Sequence, residues 1–210
     1  MSDTIDNPLF ARFWVAISSR EPESLRRLRQ ENLAGLSGRV LEVGAGTGTN
    51  FAFYPDTVTE VVALEPERRL AALATRAASD APVPVTVDGG TVEQLVGGDE
   101  FDAVVCSLVL CSVGDPKKVV NQLYSLLRPG GELRYLEHVA GVGAHARLQK
   151  FADAAFWPRV AGNCHSHRHT EETVVDAGFS VNRARREWTF PTWVPLPTNE
   201  VAIGVAVKPA

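Results

Sequence analysis

Cysteine is scarce in this chain. There are 3 in 210 residues, an odd and low number. That excludes a disulfide-stapled scaffold and points to a reducing compartment. Basic charge is not in excess either, since 21 Lys and Arg stand against 25 Asp and Glu, for a net charge of -4. An electrostatically driven nucleic-acid binder has the opposite balance, so no nucleic-acid partner is expected. Long apolar runs are also missing. The start, MSDTIDNPLF, places two acids before any base and has no apolar signal core, and Arg12 interrupts the apolar stretch that follows. A spanning helix needs about 20 apolar residues. No internal repeat and no low-complexity linker divides the chain. With 45% hydrophobic and 22% charged residues, the expectation is one cytoplasmic domain over 1–210 that builds its own core.

What is there alternates. Residues 8–37 read as helical, with Asn7 as N-cap and Pro8 at the first helical position. Arg20, Arg26, Arg27 and Arg29 read as a solvated charged face on the second half of that stretch. Short apolar runs follow at 39–43, 60–65, 83–87, 101–110 and 131–139. Helical stretches are expected between them, at 50–54, 67–79, 91–96 and 116–127. Runs alternating with helices imply right-handed crossovers and a largely parallel sheet covered on both faces. The last third reads as a helix from His145 to Trp157, a helix from Thr170 stopped by Gly178, and two strands at 180–190 and 200–208. Two strands with no helix between them pair antiparallel.

The strongest local signal is Glu42-Val43-Gly44-Ala45-Gly46-Thr47-Gly48-Thr49-Asn50, between the first strand and the next helical stretch. Alternating glycines let a backbone turn sharply and approach a ligand. A dinucleotide fingerprint starting at Gly44 needs glycine where Thr49 stands, and a phosphate-binding P-loop needs a Lys after its last glycine. Glu65 ends the second run, near the spacing at which an acid meets a ribose. Together these signals place a nucleoside across the C-terminal strand edges, at the topological switch point.

The E-x-G-x-G-x-G turn, the acid ending strand two, Leu127-Arg128-Pro129-Gly130-Gly131 and the final strand pair together resemble the class I S-adenosylmethionine-dependent methyltransferases. That resemblance implies a Rossmann-like α/β fold, a doubly wound seven-stranded sheet in the order 3-2-1-4-5-7-6 with the last strand antiparallel. A narrower likeness lies in Asn50-Phe51 with Phe53-Tyr54-Pro55, in the segment from Val105 to Val113, and in Glu137-His138-Val139. These resemble the methyltransferase-like thiol S-methyltransferases of animals and their bacterial relatives. The animal members carry an N-terminal hydrophobic membrane segment; no such run stands here, so membrane attachment is not carried over.

By resemblance, Gly44, Ala45, Gly46 and Gly48 pass under the methionine part of S-adenosylmethionine, with Glu42 near its amino group and Asn50 beside it. Glu65, followed by Pro66, accepts from the ribose hydroxyls. Gly90, Thr91 and Val92 lie beside adenine, with Asp88 as an alternative acid, and the Cys106 backbone meets the methionine amine. The product is S-adenosylhomocysteine, and the acceptor implied is a small lipophilic thiol. The alternatives are N- or O-methylation of a small metabolite such as a phenol or quinone, and a protein that holds the cofactor without transfer.

A thiol has a pKa of about 8.5, so a few per cent is thiolate at neutral pH and a nearby base or cation helps. Candidate catalytic residues are His138, at the end of strand five, and His165, in Gly162-Asn163-Cys164-His165-Ser166-His167-Arg168-His169. Cys164 with His165, His167 and His169 supplies zinc-type ligands, but the spacing is not that of a zinc finger and no distant second pair is evident, so no native metal is expected. Phe13, Trp14, Cys111 and Trp157 are the candidate substrate contacts. Residues 1–37 are expected to form a helical lid, with 140–170 as a second lid insertion in the 38–210 core.

Overall fold

The computed structural model describes residues 6–97 and 100–210. Two helices come first, α1 (Pro8–Ser18) and α2 (Glu23–Leu33). Asn7 caps α1 by accepting from the Phe10 N–H at 3.1 Å, with Pro8 at its first position. The core follows as β1 (Gly38–Val43), β2 (Val58–Leu64), α3 (Arg68–Ala78), β3 (Val85–Asp88), β4 (Phe101–Ser107), α4 (Pro116–Leu126) and β5 (Leu127–His138). The chain ends with α5 (Gly143–Ala155), α6 (Trp157–Val160), α7 (Thr170–Asp176), β6 (Ser180–Trp188) and β7 (Glu200–Val207).

The seven strands form one sheet in the order β3-β2-β1-β4-β5-β7-β6, as the family resemblance implied. The first five strands in that order pair in parallel, and β7 pairs antiparallel with both β5 and β6. Successive side chains on a strand point to opposite faces, and β4 shows both being used. Val104 and Cys106 join a core with Val119 and Leu123 of α4, while Ala103 and Val105 join another with Leu33, Phe51 and Ala74. Apolar runs buried on both faces are what a covered parallel sheet requires.

Two crossovers are shorter than expected. The helix anticipated at 50–54 is a single 3-10 turn, Phe51–Phe53, and that at 91–96 is another, Val92–Gln94. Pro55 follows the first turn directly. The residue before a proline is held out of the helical region, and Tyr54 is extended at φ -65, ψ 129. Aromatic bulk replaces helix length there, since the Phe51 and Tyr54 side chains are both buried against the sheet.

Arg29 is a second correction. It does not lie on a solvated face but is buried, its Nε donating to Glu21 at 2.6 Å and its Nη1 to Asn50 Oδ1 at 3.1 Å. The helix pattern placed Leu25, Leu28 and Leu33 inward correctly, but Arg29 is the residue after Leu28 and turns in with it. It ties α2 to the loop after β1.

Candidate active site

A cavity of about 930 Å³ opens at the C-terminal ends of β1, β2, β4 and β5. At one end lies the glycine turn. Gly44, Gly46 and Gly48 take φ of +65, +60 and +80, a region that costs other residues about 1–2 kcal/mol. Gly44 and Gly46 line the cavity with Glu65, Pro66, Gly90, Thr91 and Val92. Among the described residues Glu42, Ala45, Gly48, Asn50 and Cys106 do not reach its wall.

Glu65 joins the turn to β2. One carboxylate oxygen accepts from the Gly46 N–H at 2.7 Å and the other from the Glu67 N–H at 2.9 Å. Burial pushes its carboxyl up to about 7 against those two bonds. Each oxygen keeps lone-pair capacity for a further donor in the cavity. Beneath the turn, Glu42 accepts from Asn50 Nδ2 at 2.9 Å and from the Tyr54 hydroxyl at 2.6 Å. Burial pushes Glu42 up to about 7 as well. Asn50 Nδ2 also donates to Ser107 Oγ at 3.2 Å, so one polar network links the ends of β1 and β4.

The other end of the cavity is apolar and sulfur-rich. Cys111, His138 and Cys164 all line it, and their side chains meet there. His138 Nδ1 lies 3.4 Å from Cys111 Sγ and 3.5 Å from Cys164 Sγ, and the two sulfurs are 3.6 Å apart. The hydrogen bond with Cys164, followed by burial, pushes the Cys111 thiol well up. Behind this group Glu137 is fully buried, and its carboxylate accepts from the backbone N–H groups of Val109, Leu110 and Cys111 at 2.9, 2.9 and 3.2 Å. Burial raises the Glu137 carboxyl against those bonds.

His165 lies elsewhere. It lines a separate surface depression with His167, Arg168 and His169, while its backbone N–H donates to the Cys111 carbonyl at 2.8 Å. Of the histidine-rich segment, Cys164 is the member that turns inward to His138.

Phe13, Trp14 and Trp157 line the cavity. Helix α1 reaches across it at two points. A side chain on Gly46 would meet Trp14 Nε1 at 2.7 Å, and one on Gly162 would meet the Phe10 ring at 2.2 Å. The buried indole nitrogens of Trp14 and Trp157 have no hydrogen-bond partner among the described residues, which leaves two donors at the cavity wall. The first five residues of the expected 1–37 lid lie outside the described residues.

The polar groups that sequence reasoning missed are Arg29, hidden in a row of arginines, and Glu137. The signal for Glu137 was present, because an acid at the end of a strand otherwise buried on both faces needs partners there.

Comparison with known proteins agrees with this geometry. Residues 17–183 match the family model described as a methyltransferase domain. Thiol S-methyltransferase TMT1B of Mus musculus is 34% identical, over 96% of this chain and 85% of that protein. Thiol S-methyltransferase TMT1A of Homo sapiens is 31% identical, over 82% and 75%. Among solved structures, YcgJ of Bacillus subtilis superposes with a TM-score of 0.65 at 16% identity, covering 89% of this chain and 98% of that one. The [4+2]-cyclase SpnF superposes at 0.68 and 18%, covering 89% and 80%, so the fold alone does not fix the reaction. It is the sequence match over most of the length, joined to the glycine turn and Glu65 at one cavity, that decides: this chain belongs to the methyltransferase-domain family.

Proposed function

We propose that the chain methylates a small lipophilic thiol with S-adenosylmethionine as donor. The observation that carries this reading is the single cavity with two unlike ends, one polar and glycine-lined, the other apolar and sulfur-rich. The polar end fits the donor. Glu65 is 6% exposed yet faces the cavity with acceptor capacity free, as a ribose diol requires. Gly44 and Gly46 let Val109 and Trp14 pack close over the turn, on the wall assigned to the methionine part, Thr91 and Val92 stand on the wall assigned to adenine, and the Glu42 network holds the turn in shape. The volume lies within the usual range for small-ligand sites, about 300–1,000 Å³.

When bound, S-adenosylmethionine supplies an electrophilic sulfonium methyl. The chain's own part is alignment and exclusion of water, the source of much of the acceleration when two reactants are held in near-attack geometry. Trp14 and Phe10 of α1 roof the cavity, and Phe13, Ile17 and Phe190 give its wall an apolar character suited to a lipophilic acceptor. His138 Nδ1 stands beside the Cys111 and Cys164 thiols at the acceptor end.

A thiol acceptor is favoured over a quinone or phenol by the extent of the likeness. The thiol S-methyltransferases match over 96% of this chain, whereas demethylmenaquinone methyltransferase of Renibacterium salmoninarum matches over 56%. The test is turnover with isotopically labelled donor on a panel of alkyl and aryl thiols, phenols and amines, read by mass spectrometry. Label on thiols is expected. Label confined to phenols or amines would replace the acceptor and keep the donor site.

A further inference from the structure

Cys111, His138 and Cys164 come from three separate elements: the loop after β4, the end of β5 and the loop before α7. They nonetheless put three soft or borderline ligand atoms within 4.8 Å of one another. The distances are specific. In a tetrahedral zinc site, metal–sulfur bonds of about 2.3 Å and metal–nitrogen bonds of about 2.0–2.1 Å give S···S edges of about 3.8 Å and S···N edges of about 3.6 Å. The observed edges are 3.6 Å between the sulfurs, and 3.4 and 3.5 Å from sulfur to nitrogen. This triangle matches one face of such a tetrahedron to within about 0.2 Å.

The triangle is also held from outside. Glu137 fixes Cys111 through the backbone N–H groups of 109–111. The two loops are stitched together by His165 N–H to the Cys111 carbonyl at 2.8 Å and by Asn163 Nδ2 to the Ser112 carbonyl at 2.7 Å. Asp153 of α5 receives the N–H groups of Ser166 and His167 at 2.9 Å each, so the 164–167 backbone is pinned beside the site. Leu108 and Asn163, on these two loops, both take left-handed φ, of 60 and 64. Non-glycine residues keep that conformation only where their surroundings impose it.

We propose that Cys111, His138 and Cys164 form a three-ligand site for a soft divalent metal, zinc foremost, whose fourth position opens into the cavity and takes the acceptor's sulfur. The fourth-ligand assignment rests on the thiol reading; the metal site does not. One protein ligand more would close the site, but three plus an exchangeable position is the pattern of reactive rather than structural zinc. On loading, two sulfur–metal bonds and one nitrogen–metal bond form, water ligands of the aqueous ion leave to solvent, and the two cysteine protons go with them. An acceptor thiol then displaces the bound water, forms a third sulfur–metal bond and gives up its own proton to solvent. No atom changes oxidation state. The sulfur is then held as a thiolate at neutral pH, facing the donor end of the same cavity. His165, His167 and His169 line the other depression and are not part of the site.

The test uses the full chain, reduced and stripped of metal, titrated with Zn²⁺ against a chromophoric chelator, and separately with Co²⁺. The expected result is about one zinc per chain, with a tetrahedral cobalt spectrum that includes sulfur-to-cobalt charge transfer. Cys111→Ser and Cys164→Ser should each weaken binding by more than about 100-fold, beyond the 10–100-fold typical of supporting residues. His167→Ala should leave it unchanged. Circular dichroism of each variant separates lost ligation from lost folding. Adding a short alkyl thiol to the cobalt form should intensify the charge-transfer band. No stoichiometric metal, or equal binding by Cys164→Ser, overturns the site. Undiminished thiol methylation by stripped protein would overturn the metal's part and keep the thiol reading. A bound metal whose spectrum ignores thiols, in a protein that methylates none, would keep the metal site and overturn the acceptor.

Discussion

The two ends of the cavity are built in opposite ways. The donor end comes from consecutive pieces of chain: β1, its glycine turn, β2 with Glu65, and β3 with the turn that follows. It is held by hydrogen bonds that span at most one crossover, as between Glu65 and the N–H groups of Gly46, 19 positions back, and Glu67, two positions on. The acceptor end is assembled from residues that lie 26 and 27 positions apart and more, brought together only when β5 inserts beside β4 and the loop before α7 folds back. Its groups are sulfur, imidazole and aromatic rings. The difference suits the reaction. On the proposed reading, one end recognises a donor common to many methyltransferases, while the other is free to vary with the acceptor.

The sharpest break of this comparison is Gly46→Val. Its Cβ would meet Trp14 Nε1 at 2.7 Å, on a backbone at φ +60. Left-handed strain and that clash force the turn or the Trp14 roof to move, so contacts to the donor are lost and its affinity should fall about 100-fold by calorimetry. Zinc binding at the acceptor end should not move. If both change, the two ends are not independent.

Glu65→Ala comes next. On the proposed reading it removes the acceptor of two charge-assisted bonds to ribose, for an expected loss of about 2 kcal/mol or ~30-fold in donor affinity. The thiol acceptor's own affinity should hold. A loss shared equally by donor and acceptor would point to collapse of the turn that Glu65 braces.

This contrast also explains what could be read from the sequence. The alternation of strands and helices and the glycine turn were legible because hydrophobic period and turn chemistry act over short spans, while the sheet order came from the family resemblance. Glu65 was legible because its distance from Gly48 is set by one crossover. The shrinking of the first crossover to a 3-10 turn was not, since Phe51 and Tyr54 substitute bulk for helix, a matter of tertiary packing. Arg29 was hidden because nothing local separates it from Arg26 and Arg27, and its partners Glu21 and Asn50 decide its place. Cys164 was visible only as one of four ligand types in a row. Which of them faces His138 depends on how Asp153 and Asn163 hold the loop.

A smaller effect is expected from pH. In the free protein burial lifts Glu65 to about 7, and a ribose donor favours its ionised form. Donor binding should therefore release a proton below that pH. Affinity should weaken about tenfold per unit as pH falls below 7, and level off above it. The stability of the free protein has the opposite sign. Glu42 and Glu65 both move from an ordinary 4.5 to about 7, so the folded state binds protons more tightly and stability falls as pH rises between those values. Melting curves with and without donor should thus diverge as pH increases. A pH-independent affinity would mean that Glu65 is already ionised before the donor arrives.

The smallest effect is assigned to His165→Ala, and it separates neighbours in sequence from neighbours in space. His165 adjoins Cys164, yet its side chain lines the outer depression while Cys164 lines the cavity. The contact it makes with the acceptor end is through its backbone N–H to the Cys111 carbonyl, which alanine retains. Turnover and its pH profile should stay within about twofold of the parent, as for a surface change of ±0.5 kcal/mol. His138→Ala, which removes Nδ1 from beside both sulfurs, should by contrast depress acceptor turnover and leave donor affinity intact. If His165→Ala were the more damaging of the two, the outer depression would be the acceptor's site, and the sulfur-rich end of the cavity would have to be read as packing.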